Sequence, residues 1–248
     1  MFKKIFFILF LTTIITFAGE RSNQDADADH IILTPTTETM NKGEFTFNSY
    51  ELFFAGLSYG ATDDLQITFT TLLPITSDIP IVGLLTAKYK LTENKSSAFA
   101  IQPGILFTEL YIGEDKPDEE KRDSLLKIFN LTLIYDFFLT PKATLTLSSS
   151  TSIPLSTDSD LSFLMTFTSA LNVILRENLK FVAELTIMGN YNDGKFTMID
   201  EVFFFNYGIK FFNEKLAATL SFLKPIIQDN SSDLLLLGFP YVAFTAKF

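Results

Sequence analysis

Side chains able to do chemistry are sparse in this chain, so their positions carry more information than their number. There is one histidine, His30, and no cysteine. The lack of cysteine removes disulfides, thiolate nucleophiles and thiolate metal sites together. His30 lies at the end of GERSNQDADADH, an acidic stretch without periodicity, close in sequence to Asp27 and Asp29. Within an acidic N-terminal segment at 19–39, residues 19–29 read as a mobile tail leading into Ile31 to Pro35, His30 reads as a solvated tail residue, and no metal site is expected. Asp63-Asp64 has the composition of a turn. Glu114-Asp115 with Asp118-Glu119-Glu120 offers hard oxygen ligands, yet the spacing fits no calcium loop, and 113–123 reads as a solvated surface loop. Carboxylates need a pocket and a perturbed acidity before they do acid–base work. No catalytic residue, no cofactor-binding residue and no cofactor are expected, and the chain does not read as an enzyme.

The charges that stand out are Lys88, Lys90, Asp136, Lys180, Glu184, Asp200 and Lys210. All fall at even positions, within segments whose odd positions are apolar. Elements of period two are needed to hold them on one face, which is the repeat of a β-strand. Leu65, Ile67, Phe69 and Leu73 oppose Gln66, Thr68 and Thr70. The same arrangement recurs over 81–92, 97–111, 124–139, 143–153, 160–175, 179–191 and 196–212. The segment 143–153 presents a nearly pure hydroxyl face, Thr144 to Ser152, and β-branched threonine suits strands. Two final strands are expected at 215–227, with Leu220 and Phe222 outward, and 234–248.

Short turns at 62–64, 93–95, 140–142, 176–178 and 213–214 alternate with longer segments at 74–80, 113–123, 154–159, 191–195 and 228–233. That is the connectivity of an all-β, antiparallel up-and-down barrel. Even strand counts favour about twelve, with a short first strand over 40–48 and a tip near Asn48 to Glu51; ten and fourteen are the alternatives. A soluble barrel would bury the apolar faces, but eight strands already leave an interior that side chains just fill. Twelve faces rich in the chain's 28 Phe are better placed outward in hydrocarbon, so the barrel reads as transmembrane. Tyr59, Tyr89, Tyr111, Tyr191 and Tyr241 fall near strand ends, where interfacial girdles use tyrosine.

The chain opens with Met1-Phe2-Lys3-Lys4 and an apolar run from Ile5 to Ile15, followed by Thr16-Phe17-Ala18. This reads as a signal peptide over 1–18, cleaved after Ala18. The formal charge of −10 becomes more negative when Lys3 and Lys4 leave. An acidic surface repels nucleic acid, so no such partner is expected.

The C-terminal run Tyr241-Val242-Ala243-Phe244-Thr245-Ala246-Lys247-Phe248 places Val242, Phe244, Ala246 and Phe248 at alternate positions and ends on an aromatic. It resembles the assembly signal of bacterial outer-membrane β-barrel proteins. Pro35-Thr36, Gly43 and Tyr59-Gly60-Ala61-Thr62-Asp63-Asp64-Leu65 look like the opening of porin-like barrels of uncharacterised function. The resemblance implies export to the bacterial outer membrane, recognition by the barrel-assembly machinery, a surround of outer-membrane lipid, and 19–39 as a periplasmic segment before a barrel at 40–248. Barrel phospholipases, acyltransferases and omptin-type proteases are similar in architecture, but their chemistry uses a histidine on the barrel or its loops, which this chain lacks. Two functions remain. A narrow porin-like channel or transporter for small solutes would use the seven inward charges for selectivity. A nonconducting structural or surface-interaction barrel would use its acidic extracellular loops, with the inward charges pairing across strands.

Overall fold

A computed structural model describes residues 25–51, 53–73, 82–110, 124–155, 163–192, 195–226 and 237–248. The period-two segments become twelve strands: β1 (Phe45–Tyr50), β2 (Phe54–Thr62), β3 (Leu65–Leu72), β4 (Val82–Glu93), β5 (Ser97–Leu110), β6 (Ser124–Thr140), β7 (Ala143–Pro154), β8 (Phe163–Arg176), β9 (Leu179–Asn192), β10 (Lys195–Phe212), β11 (Leu216–Ile226) and β12 (Phe239–Lys247). Each pairs antiparallel with its sequence neighbours, and β1 pairs with β12 to close the ring. Closure removes free sheet edges, so the wall satisfies its own backbone polar groups, as hydrocarbon requires.

The two faces differ sharply. Leu57, Ile67, Phe69, Leu85, Leu133, Phe167, Leu185, Phe211 and Leu220 are exposed on the outside. Their strand neighbours Ser58, Gln66, Lys88, Thr132, Asp136, Thr168, Glu184, Lys210 and Ser221 are buried inside. A soluble protein puts these classes the other way round; this is a transmembrane up-and-down barrel. Tyr59, Tyr89 and Tyr191 also face outward, while Tyr111 lies outside the described residues.

At the start of β10, before a register shift between Met198 and Phe203, the even-numbered Phe196 faces outward. Outward residues are odd-numbered through β9 and over Phe203–Phe211 of β10, and even-numbered in β11 and β12. The turns explain the change. Before the β2–β3, β4–β5, β6–β7 and β8–β9 turns the register shifts at Gly60/Thr62, Lys90/Thr92, Phe138/Thr140 and Ile174/Arg176, one extra residue in each case. Such bulges re-aim the strand end. The β10–β11 turn has no shift, Phe212 lies opposite Ala217, and the parity inverts. Pairing of Phe47 with Ala246 inverts it back at the seam.

Three expectations need correction. The first strand spans Phe45–Tyr50 and not 40–48, because residues 40–44 form the exit of a segment lying inside the barrel. The tip falls just after it, where Glu51 adopts φ +52° and its Oε1 accepts the Val242 amide at 2.9 Å. That contact gives the acid a hydrogen-bond partner at the tip. Tyr241 is not an interfacial residue: the parity inversion turns it inward, where it is buried.

Candidate functional site

The largest departure from expectation is the acidic segment before the strands. Residues 25–40 are not a solvated tail; they enter the barrel at the end bearing the tight turns, fold back on themselves and leave at the same end. The entry is tied down by the Ala26 amide donating to the Asn213 carbonyl, and the exit by the Lys42 amide donating to Asp63 Oδ1, both at 2.9 Å. His30 and Pro35 form an antiparallel bridge, and the Ile31 amide donates to the Thr34 carbonyl across the tip. The exit passes close enough to β2 that a side chain at position 60 would place its Cβ 2.1 Å from the Asn41 carbonyl oxygen. Gly60 is therefore required by the approach of two backbones.

Apolar contact seats the tip. Ile31 and Ile32 are buried among Ala170 and Val182 on one side and Tyr241 and Ala243 on the other, with Tyr50 and Leu223 packed alongside. These residues belong to β8, β9, β11, β12 and β1, one arc of the wall against which the tip is seated. Closer to its entry, Ala26 packs against Phe212 and Ala217.

Five of the seven charges singled out by parity converge on this hairpin. Glu184 Oε1 accepts the amides of Ile32 and Thr34 at 2.8 and 2.9 Å, and Leu33 adds its amide at 3.0 Å. Three successive amides around a carboxylate form a nest of fixed partial positive charge. Asp136 Oδ2 accepts the Thr37 amide at 2.9 Å and its hydroxyl at 2.6 Å, while Thr146 donates to the other oxygen. Lys210 Nζ donates to Asp27 Oδ2 at 2.7 Å and to the carbonyls of Asp27 and His30. Lys180 pairs with Asp25 and lies 4.5 Å over the Phe212 ring. Lys88 donates to the carbonyls of Asp29 and Thr36, each at 3.2 Å. Among the described residues, no ion pair joins two of these inward charges; the neighbouring strands contribute neutral donors, Thr146 to Asp136 and Asn206 to Glu184.

The other two behave differently. Lys90 is held near the turn end by Glu93 at 2.9 Å. Asp200 lies in β10, but its side chain is outside the described residues. Of the alternate C-terminal positions, Phe244 and Phe248 face outward, with Val242 and Ala246 half-buried on the same face.

Charge sets the acidity of the hairpin. Burial would raise Asp25, but Lys210 and Lys180 outweigh it and hold the carboxyl below its ordinary range. Burial raises Asp27, and Lys210 does not overcome it. Asp29 is also buried, yet His30 beside it, with Lys88 and Gln66, holds it low.

Sequence reasoning missed the hairpin and its ligand Gln66, which receives the Met40 amide at its oxygen and donates to Asp29. A signal was present: carboxylates at 25, 27 and 29 match three inward lysines, at 88, 180 and 210. Beyond the hairpin, toward the opposite end, the wall continues as a hydroxyl ladder. Thr132 meets Ser150 at 2.7 Å, Thr168 meets Thr186 at 3.0 Å, and Ser152 donates to Asn130 at 2.6 Å. At the turn end a cavity of ≈ 420 Å³ remains beside the hairpin, lined in part by Asp25, Glu38, Asp136, Lys142, Thr144 and Lys180.

No known family model matches the chain, and no curated protein does. Among solved structures, the KdgM porin aligns over 82% of this chain and 95% of its own, at 9% identity and TM-score 0.47. The NanC porin covers 82% and 97%, at 8% identity and TM-score 0.46. OprD of Pseudomonas aeruginosa covers 79% and 58%, at 11% identity and TM-score 0.39. By its own geometry, the chain is a closed twelve-stranded transmembrane barrel with a polar interior part-filled by its own N-terminal hairpin.

Proposed function

We propose that this protein is a narrow porin-like channel of the bacterial outer membrane whose own N-terminal hairpin restricts the turn end of the lumen. The observation that carries the reading is the combination of a polar, hydroxyl-lined interior with a hairpin held mainly by ionic and hydrogen-bonded contacts. An interior with no traffic is more simply filled with apolar side chains, because buried ion pairs stabilise poorly for what they cost. Small solutes would enter over the hydroxyl ladder and pass along the side of the hairpin by way of the turn-end cavity, or when the hairpin shifts. In this reading the turns and the hairpin entry face the periplasm, the longer connections face outward, and the export leader is removed.

Planar-bilayer recording of folded protein tests this. Wild type is expected to give small conductance steps, and a variant lacking residues 25–40 larger and steadier ones. The buried hairpin is also what favours a nonconducting barrel. Silence in both proteins, each verified as folded, would establish that alternative and end the channel reading.

A further inference from the structure

We propose that Asp27, Asp29 and His30 form a binding site for one divalent transition-metal ion of the zinc class, inside the barrel. Ligand atoms of the three residues lie within 4.8 Å of one another. His30 Nδ1 is 3.2 Å from Asp29 Oδ2 and 3.9 Å from Asp27 Oδ1. Two ligands bonded at about 2.1 Å to a tetrahedral ion sit roughly 3.4 Å apart, so the three atoms need only small shifts to share one.

Proximity alone would not make a site, and two further observations point to a ligand. Asp27 is 95% buried, and its Oδ1, fully enclosed, receives no hydrogen bond; His30 Nδ1 is likewise enclosed and makes no well-aligned hydrogen bond, with Asp29 Oδ2 at 3.2 Å beside it. Enclosed polar atoms left unpaired are costly, and these two face each other. The hydroxyl of Tyr241, which packs with Ile31 and Ile32, is enclosed and makes no hydrogen bond as well. The second observation is charge. Among the described residues the buried carboxylates are Asp25, Asp27, Asp29, Asp136 and Glu184, and the buried ammonium groups are Lys88, Lys180 and Lys210. Five against three leaves two negative charges, which one divalent cation with a neutral imidazole would balance.

The wall already supplies the groups that orient the ligands. Lys210 holds Asp27 by Oδ2, leaving Oδ1 free, and Gln66 holds Asp29. Metal sites commonly fix their ligands through such outer contacts. The imidazole nitrogen selects against Ca²⁺ and Mg²⁺, which prefer all-oxygen sites, and favours zinc and its neighbours. All three ligands lie within four residues, so the ion would lock the hairpin's own fold and not tie it to one strand.

The test uses untagged, full-length mature protein folded in detergent micelles, equilibrated with micromolar Zn²⁺ and freed of excess by gel filtration. About one equivalent of zinc is expected, with zinc X-ray absorption showing a single imidazole nitrogen in the first shell. His30→Gln and Asp27→Asn should each weaken binding by at least tenfold, while Glu114→Gln in the acidic loop should not. Heat-modifiable migration on gels checks that each variant is a folded barrel. Folded wild type that takes up no zinc, absorption without an imidazole ligand, or a full equivalent retained by His30→Gln would each overturn the proposal. None of these outcomes depends on whether the barrel conducts.

Discussion

Glu184 Oε1 receives the Ile32 amide at 2.8 Å, joining a carboxylate on β9 to a backbone group 152 residues earlier in the chain. Together with Leu33 and Thr34, this makes one side chain the terminal anchor of the hairpin. Replacing it with leucine leaves three amides without an acceptor in an enclosed site. Glu184→Leu is expected to destabilise hairpin seating by about 3 kcal/mol, raising the open population roughly a hundredfold. Amide hydrogen exchange at Ile32 and Thr34 reads this directly; unchanged protection would show that the apolar tip alone holds the hairpin.

Lys180 and Asp25 form a buried pair, so removing one member should harm more than removing both. Lys180→Met leaves the Asp25 carboxylate enclosed and short of one partner, at a cost of about 3–5 kcal/mol. The double variant Lys180→Met/Asp25→Asn should recover at least half of that. The chain has no tryptophan, so Leu33→Trp, at an exposed position on the hairpin tip, provides one fluorophore to follow hairpin release in urea. Additive losses would contradict the coupling.

At Gly60 any side chain meets the Asn41 carbonyl. Gly60→Val is expected to displace the exit of the hairpin while β2 still pairs with β1 and β3. Trypsin cleavage after Lys42, whose amide is anchored to Asp63 in the wild type, should accelerate about tenfold. Equal cleavage rates would mean that the exit can shift without releasing its contacts.

Phe248 is 81% exposed, and its backbone pairs with Phe45 through the Phe248 amide at 2.8 Å. The side chain therefore contributes little to the folded wall. Phe248→Glu should lower the amount assembled in outer-membrane fractions severalfold, while shifting the stability of the folded barrel by no more than about 0.5 kcal/mol. Comparable loss of both would assign the residue a packing role.

The wall was legible because its rule is local. Residues such as Phe69 and Thr68 differ by one position and go to opposite faces, so twelve strands could be placed from alternation and turn composition. The inward set followed from the same parity, which is why Lys88, Asp136, Lys180, Glu184 and Lys210 emerged together. The parity inversion at Phe212 and Ala217 is less local: a turn without a bulge looks much like its neighbours in sequence, and Tyr241 was assigned outward accordingly. The hairpin has no periodicity at all. Its structure depends on partners 37 to 183 residues away, from Gln66 to Lys210, so composition alone makes it resemble a solvated linker. The count of acids and lysines held the information, but only once the lysines were known to share an enclosed space.

The hairpin's position also constrains the order of events during biogenesis. Its contacts come from β3, β4, β6, β9 and β10, and its tip is packed against β12. That docking surface is incomplete until the last strand joins the first. The stretch synthesised before any strand must therefore wait, unfolded and acidic, while the rest of the chain is threaded and paired. It settles only as the seam between β1 and β12 shuts. Hairpin seating would thus be a late kinetic step, and a natural timestamp for completed closure.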